Sequence, residues 1–390
     1  MTKAVEAGGN FTIKLASIRW KTVLQALVIV AAGLWIYWPA LDGDWFFDDN
    51  TLIATNSNLR SLQGLWQIWS APTNYYLPLT STLLWIEWQL WGNEPLGYHL
   101  CNLALHILSG FLIWRLFNRL GLRWGWFGGF LFVIHPLAVE SVAWVSEIKN
   151  TLSLPLFLLS FDAWLDAEEK KSSYLRSVFF YCAAMLAKTS TIMLPLVLLL
   201  YCWWKRGRVT RQELIQTIPY FFIAVVLGLA TVLLQSQEQG AEFGGFATRL
   251  IGAESAIFFY LGKFIFPATL MPIYPRWNLD TPSFLQVMAL PTLVVLLFGF
   301  WTQRKGWGRI WIWLLFAQPA AGAQFSKNVE RQRSPFGSRS SLLHSANWAN
   351  RTRRAWIGTT LWTTFLVTVS PRHWDDGGCL GNGIAAVGKQ

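Results

Sequence analysis

Long apolar stretches alternate with short polar segments from residue 21 to about residue 316. The stretches run to about 20 residues, the length of helix that crosses the ~30 Å hydrocarbon core of a bilayer. The pattern predicts an all-α fold, a polytopic transmembrane helical bundle of about 8–10 spans. The first stretch, Thr22 to Trp38, has no small-residue cleavage site, so we expect it to remain as a span rather than leave as a signal peptide.

The distribution of charge predicts how the spans are oriented. Four basic residues precede the first span, so residues 1–20 are expected in the cytoplasm. Residues 41–98 hold six acidic side chains and a single basic one, Arg60, and are predicted to form a first outer loop. Lys263 interrupts the stretch 250–270, which we interpret as an interfacial or re-entrant helix on the outer face. Further spans are expected at about 99–117, 124–136, 151–165, 174–187, 190–204, 214–234 and 284–302.

The first outer loop is too long to be a simple connector. Apolar side chains recur at helical spacing between Leu59 and Trp69, and again between Leu79 and Trp91. Two short amphipathic helices that lie in the membrane interface are therefore predicted within this loop.

Composition supports the membrane class and limits the functions open to the chain. Of its 390 residues, 53% are hydrophobic and 14% charged, whereas a soluble domain carries about 25% charged residues. The net charge of +11 arises from loops and from residues 317–390, so no nucleic-acid partner is expected. That basic tail lacks helical periodicity, and we interpret it as aberrant, through a frameshift or disorder. Phosphate-binding loops and nucleophile elbows do not occur, so ATP-driven work and serine-based hydrolysis gain no support.

Two neighbouring acids, Asp48 and Asp49, lie within about ten residues of the end of the first span. The preceding aromatic residues, Trp45 to Phe47, would bring them down to the membrane surface. A carboxylate in that setting suits a general base that takes a proton from an acceptor hydroxyl. Both acids are therefore candidate catalytic residues. The alternative is that they are solvated loop acids that help to orient the span.

A second group of polar residues runs from His135 to Asn150 and includes Glu140 and Glu147. These two glutamates are seven residues apart, so on a helix they would share one face, two turns apart. Acids close to the membrane core are costly and usually point into a cavity. We expect Glu140 to be catalytic in the cavity of the aspartate pair and Glu147 to bind substrate. The alternative is an outer loop with a surface ion pair between Lys149 and Glu147.

Cations on the outer side are candidates for binding a phosphate-bearing lipid, because its phosphate must be neutralised away from bulk water. A lone lysine near the end of a span more often reaches out to lipid headgroups. Histidines add a stripe at helical spacing, which favours polar links between spans, although His99 is nearest the outer surface and is a candidate for substrate contact. The substrate-binding candidates besides Glu147 are His99, His135, Lys188, Lys263, Tyr274 and Arg276.

An ordered series of motifs runs through residues 20–316 and resembles a known family. The motifs are Phe47-Asp48-Asp49-Asn50, Tyr76-Leu-Pro78-Leu79, Tyr98-His99 with Asn102 and His106, and His135-Pro136 followed by Glu140-Ser-Val-Ala-Trp, Glu147 and Lys149-Asn150. This series resembles the transmembrane part of transmembrane-and-tetratricopeptide-repeat O-mannosyltransferases and their bacterial homologues. It is more distantly similar to the protein O-mannosyltransferases.

The resemblance implies a type-C glycosyltransferase domain over residues 21–316, whose first outer loop carries the catalytic acid. By position, Asp48 matches that acid, Asp49 its acidic neighbour, Glu140 the acid of the second outer loop, and Lys188 the lysine that follows a span. The donor would be a polyprenyl-phosphate or dolichyl-phosphate sugar, and the acceptor a hydroxyl, typically of a protein Ser or Thr. Family members continue with further spans and tetratricopeptide repeats, which this sequence does not show after Phe316.

Taken together, the sequence predicts an inverting glycosyltransferase in a bacterial cytoplasmic membrane, with its active site facing the periplasm or exterior. Its expected partners are a lipid-phosphate-linked sugar, a protein or lipid-linked hydroxyl acceptor, and membrane lipids. A divalent cation, Mg²⁺ or Mn²⁺, is a candidate cofactor with Asp49 as its ligand. The alternatives left open are a secondary transporter or channel, for which midplane acids and inverted repeats are missing, and a truncated non-catalytic remnant.

Overall fold

The computed structural model describes residues 20–71, 76–167, 170–235, 245–267, 270 and 282–302. The elements in these ranges are helices, as predicted. The α-helices are α1 Trp20–Leu41, α2 Leu62–Ser70, α3 Pro78–Trp91, α4 Pro95–Arg119, α5 Gly125–Ile134, α6 Val139–Ala143, α7 Ile148–Asp166, α8 Lys171–Ala187, α9 Leu194–Arg206, α10 Arg211–Gln235, α11 Phe246–Ile265 and α12 Phe284–Thr302.

Short helical turns connect several of these helices. One π-helical turn covers Asn50–Ala54, and 3₁₀ turns cover Ser57–Arg60, Pro136–Ala138, Val145–Glu147 and Thr189–Met193. Local sequence accounts for where the long helices begin and end. Proline occupies the first position of α3 and α4, where its missing N–H costs nothing. Gly207 ends α9 with a φ of 74°, a conformation open to glycine without strain.

Three described helices, α1, α4 and α10, are long and apolar enough to cross a membrane. A fourth span results if α5 and residues 136–143 are counted as one span bent by 51°. Helix α5 lies within the span predicted at about 124–136, and the chain then bends at His135-Pro136, where proline cannot continue the helix. The helices α7, α8 and α9 are shorter, at 19, 17 and 13 residues. The helical membrane class is confirmed, and a total of 8–10 spans stays a prediction.

Helix α4 lies at the centre of the bundle and contacts α1, α5 and α7. Its approach to α5 depends on two glycines. A Cβ atom on Gly129 would lie 2.4 Å from the carbonyl oxygen of Gly110, and one on Gly110 would lie 2.4 Å from Val133. The two backbones are therefore in direct contact, the close packing by which small residues hold membrane helices together.

The first loop, residues 41–98, contains both of the short helices that its periodicity predicted. Ser61 caps α2 by accepting a hydrogen bond from the N–H of Gly64 at 3.0 Å. Helix α3 is tied to α2 through Trp69 Nε1, which donates to Thr82 Oγ1 at 3.0 Å. Thr80 Oγ1 donates to the carbonyl oxygen of Ala187 at 2.8 Å, which fixes the start of α3 to the end of α8. The loop is therefore built into the bundle.

The described core has three apolar clusters. One packs the first loop on α4 and the start of α7, around Ile53, Leu84 and Ile148. A second joins α4, α7, α8, α9 and α10 around Phe161 and Tyr220. The third joins α1, α4, α5 and α6 around Ile29 and Ile107. Because lipid is as apolar as these side chains, close van der Waals packing holds the helices together within a membrane. The first cluster therefore supports the loop that carries the predicted catalytic acids.

Ion pairs join the ends of α4 and α7 that lie away from the first loop. Arg115 Nε donates to both carboxylate oxygens of Asp162 at 3.1 Å, and Arg119 Nη1 reaches the same carboxylate at 2.8 Å. Arg119 also pairs with Asp166. This inner ion cluster, Arg115, Arg119, Asp162 and Asp166, fastens α7 to α4.

Candidate active site

The turn that follows α1 has an unusual backbone at Phe47. Its φ is 49°, in the left-handed region that a bulky side chain rarely adopts and that costs about 1–2 kcal/mol. Ring packing holds the turn in place. The rings of Phe46 and Phe47 lie edge to face with Trp144, at centroid distances of 5.2 and 5.9 Å. The turn presents Asp48 and Asp49 to the segment around Trp144.

Asp49 is buried, with 1% of its surface exposed. Oδ1 accepts a hydrogen bond from the N–H of Ser146 at 2.8 Å, and Oδ2 accepts one from the N–H of Phe46 at 2.9 Å. Burial raises the pKa of Asp49 to about 7, the charge of Asp48 adds to the rise, and the two backbone donors oppose it. Near neutral pH, this carboxyl group therefore exchanges a proton.

Asp48 is half-buried and is held by the same segment. Its Oδ1 accepts hydrogen bonds from Trp144 Nε1 at 3.1 Å and from Ser146 Oγ at 2.8 Å. Hydrogen bonds from neutral donors stabilise a carboxylate without cancelling its charge. The two acids predicted from the sequence are therefore brought against one short segment, residues 144–146, that is 96 to 98 residues away in the chain.

Segment 144–146 is itself held by α4. Helix α6 ends at Ala143, and Asn102 Nδ2 donates to the carbonyl oxygens of Trp144 and Val145 at 3.3 and 3.4 Å. Thr151 Oγ1 in turn donates to Asn102 Oδ1 at 2.6 Å. Asn102 therefore acts as the polar link between helices that the stripe on α4 predicts.

The two histidines of that stripe differ. His106 Nε2 contacts the carbonyl oxygen of Val133 at 3.1 Å, which is again a link between helices. His99 is buried, and neither ring nitrogen has a hydrogen-bond partner among the described residues. Its Nε2 lies only 2.9 Å from where a Cβ atom on Gly43 would be, so the ring abuts the turn after α1. Contact of His99 with substrate stays a prediction.

A network of charged and amide groups lies next to Ser146. Glu147 accepts hydrogen bonds from Lys149 Nζ and from Asn150 Nδ2, both at 2.7 Å. Asn150 Oδ1 accepts one from Lys188 Nζ, and Lys149 Nζ also contacts the carbonyl oxygen of Ser146 at 3.3 Å. The Lys149–Glu147 pair of the alternative interpretation forms, but not on the surface, because the Glu147 side chain is 5% exposed.

Charge explains why Glu147 tolerates this burial. Burial alone would raise its pKa, but the charges of Lys149 and Lys188 and the hydrogen bonds that it accepts hold the pKa of Glu147 below its ordinary value. Glu147 is therefore ionised at neutral pH.

Glu140 reaches the same network by a different route from the one expected. The prediction of a single helix with Glu140 and Glu147 on one face is wrong, because α6 ends at Ala143 and the backbone is extended at Trp144. Electrostatic interactions nevertheless connect Glu140 with Glu147, Lys149 and Lys188. The break turns the chain back, so the two glutamates remain neighbours.

The remaining candidates lie at the edge of this site or outside the described ranges. His135 Nε2 contacts the carbonyl oxygen of Phe264 at 3.2 Å, and the two rings stack at 5.0 Å. This contact ties the bend after α5 to the end of α11, where Lys263 lies over the ring of Phe259 at 5.6 Å. Tyr274 and Arg276 lie outside the described residues, so their roles as substrate ligands stay predictions.

The proposed metal role of Asp49 gains no supporting ligands. Both of its oxygens accept backbone N–H groups. Among the residues that the structure describes, no group of three or more His, Cys, Asp or Glu side chains could hold a metal ion. A divalent cation at Asp49 therefore stays a prediction, and no step below is routed through one.

Trp144, Ser146 and Asn150 are absent from the sequence-based set of candidates, although they lie within the second group of polar residues, His135 to Asn150. Their side chains donate to the acids or connect the lysines. Their position was the signal that could have identified them, because polar and indole N–H groups near Glu140 and Glu147 would share the cavity expected for these acids. Residue type alone did not distinguish them from structural residues.

The arrangement defines a helical membrane protein with a partly buried acid pair beside a network of lysines and glutamates, and similar proteins are known. "Protein O-mannosyl-transferase TMTC4" of Mus musculus is 30% identical over 203 residues, covering 43% of this chain and 27% of the relative. Its Homo sapiens counterpart is 29% identical over 228 residues, covering 49% and 31%. "Protein O-mannosyl-transferase F38B6.6" of Caenorhabditis elegans is 24% identical over 191 residues, covering 45% and 27%.

The resemblance that the motifs predict is therefore confirmed, since these relatives carry the name of O-mannosyl-transferases. The chain spans about a quarter to a third of their length. No family model matches the chain. No solved structure matches it either.

Proposed function

We propose that this chain carries the catalytic part of a membrane glycosyltransferase that moves a sugar from a polyprenyl-phosphate donor to a hydroxyl acceptor, typically a protein Ser or Thr. The observation that supports this most is the meeting of two segments at Ser146, which contacts Asp48 through its hydroxyl group and Asp49 through its backbone N–H. The names of the relatives support the same reaction class. The site would face the outer side of the membrane, as the charge distribution predicts.

In the proposed reaction, Asp48 takes the proton of the acceptor hydroxyl as its oxygen attacks C1 of the sugar. The bond between C1 and the donor phosphate oxygen breaks, and its electron pair leaves with the lipid phosphate. One bond to C1 forms as another is lost, so the configuration at C1 inverts and no covalent enzyme intermediate is needed. A positioned general base contributes about 10²–10⁴-fold to such a rate.

The leaving phosphate needs positive charge. Lys149 and Lys188 lie in one network with Glu147, and Lys188 is 8% exposed. Ammonium groups held in a water-poor site stabilise developing negative charge more strongly than they would in bulk water. Lys188 therefore has the role of a phosphate ligand, and Glu147 positions the lysines. Lys263 and Arg276 are further candidates for the lipid end.

The test is transfer by membranes that contain the Asp48→Asn variant. We expect a loss of about 10²–10⁴-fold in sugar transfer and in lipid-phosphate release from a polyprenyl-phosphate mannose donor. Asp44→Asn is the matched control, because Asp44 is exposed in the same turn and accepts only a local bond from the N–H of Trp45 at 2.8 Å. That control should transfer at the wild-type rate. Wild-type transfer by Asp48→Asn would remove Asp48 from the reaction.

A further inference from the structure

Two side chains bind the same oxygen atom of Asp48. Trp144 Nε1 and Ser146 Oγ both donate to Oδ1, at 3.1 and 2.8 Å. Both donors are buried, with Trp144 2% and Ser146 3% exposed. A buried donor left without an acceptor is costly, so each donor favours the one orientation of the carboxyl group that satisfies it.

The surroundings of Trp144 fix where its N–H group points. Its ring is held edge to face by Phe46 and Phe47, and Asn102 holds its backbone carbonyl group. The ring cannot rotate without breaking these contacts, so the N–H direction is set before any substrate binds. Pre-set donors of this kind cost no reorganisation during a reaction.

We propose that Trp144 and Ser146 are positioning residues that clamp Oδ1 of Asp48, and thereby fix the plane of the carboxylate that faces the acceptor hydroxyl. This clamp rests on the proposed function, since it defines how the base is aimed. The terminal torsion of an aspartate is broad and roughly two-fold. Two donors on one oxygen remove that freedom, and a base held in line with its proton donor reacts faster than a rotating one.

The clamp can be separated experimentally from the burial of Asp49. Ser146 binds Asp49 through its backbone N–H, which no side-chain substitution removes. The titratable groups on the surrounding segments are Asp49, Glu147 and Lys149, and the last of these contacts the carbonyl oxygen of Ser146. Ser146→Ala therefore removes one donor to Asp48, together with the contact of the same hydroxyl to Asp49, and keeps the backbone contacts in place.

The experiment compares kcat and KM for Ser146→Ala, Ser146→Thr and Trp144→Phe in purified protein with a polyprenyl-phosphate mannose donor. Each lost donor should lower kcat about 10–100-fold, with KM for the donor within about twofold, because a hydrogen bond to a charged group is lost and substrate contacts are not. Ser146→Thr retains a hydroxyl and should recover most of the rate. Ser109→Ala is the matched control, because Ser109 is buried and donates only to Leu105 in its own helix at 3.0 Å.

An infrared measurement tests the clamp without turnover. The carboxyl band of Asp48, assigned by its absence in Asp48→Asn, should shift in Ser146→Ala and in Trp144→Phe but not in Ser109→Ala. Wild-type kcat together with an unshifted band in both variants would overturn the clamp. If the wild-type protein transfers no sugar but the band shifts as expected, the proposed function fails and the clamp stands.

Discussion

The protein has two pairs of acids at opposite ends of α4 and α7, and they are treated differently. At the inner end, Asp162 accepts hydrogen bonds from two arginines, and Asp166 pairs with one of them. At the first-loop end, Asp49 is buried and accepts hydrogen bonds from two uncharged backbone N–H groups. The inner acids are charge-matched, whereas burial raises the pKa of Asp49.

The difference separates a structural acid from a reactive one. The guanidinium groups at the inner end stay protonated and lie directly beside the carboxyl groups of the aspartates. Asp49 instead has a pKa of about 7, because burial outweighs the neutral donors. Proximity of two acids in sequence therefore says little about function, and the kind of donor around them says more.

The largest stability effect should follow from Asp162→Asn. Removing one partner of a buried ion pair costs about 3–5 kcal/mol, and we expect about 2–3 kcal/mol because Arg115 and Arg119 are 58% and 26% exposed and can turn to water. Thermal unfolding in detergent measures the loss. Transfer per folded molecule should stay within about twofold of wild type. A large loss of kcat in folded protein would contradict the structural assignment.

Lys188→Met tests whether the cations at the two ends of α4 and α7 differ in function, as the acids there do. Arg119 contacts two carboxylates directly, whereas Lys188 donates a hydrogen bond to the amide oxygen of Asn150. We expect a 10–100-fold fall in kcat/KM for the lipid-phosphate donor, the value of one charge-assisted contact. Arg115→Met is the control and should transfer normally. Unchanged kinetics in Lys188→Met would remove this lysine from the phosphate site.

Sequence reasoning reached the helices and the acids, but not the donors that distinguish the acid pairs. Apolar periodicity placed α2 and α3 in the first loop because those patterns are local. The break at Trp144 is not local, because it depends on Asn102 of α4, which donates hydrogen bonds to the carbonyl oxygens of Trp144 and Val145. Pairing of Asp48 with Ser146 likewise needs the fold to bring distant segments together. In the sequence, only the order of the motifs indicated that these two segments would meet.

Asp49→Asn tests whether the protonation state of Asp49 affects the reaction. The folded pKa of Asp49 is raised from 3.8 to about 7, so its contribution to stability is fully present below 3.8 and is lost as pH rises through 7. If neutral Asp49 is the working form, wild-type kcat falls roughly tenfold from pH 6 to pH 8 as its charge builds beside Asp48. Asp49→Asn should be several-fold slower at pH 6, because its single oxygen cannot accept both N–H groups, and should not show that fall. A fall of the same size in Asp49→Asn would assign the proton elsewhere.

Glu87 extends the comparison to an acid whose oxygens meet neither an arginine nor an N–H or O–H donor among the described residues. It is 1% exposed and lies in α3 of the first loop. Burial raises its pKa to about 8, an effect only partly offset by the thiol of Cys101. Because the folded pKa exceeds the ordinary 4.5, the stabilising contribution is complete below 4.5 and is lost as pH rises through 8.

Between pH 7 and pH 9 the wild-type protein should lose about 1 kcal/mol of stability that Glu87→Gln retains. Melting temperatures at the two pH values measure this, with the exposed Glu94→Gln as control. An equal alkaline loss in Glu87→Gln would mean that the first loop accommodates a charge at this position, by moving the helix or by admitting water.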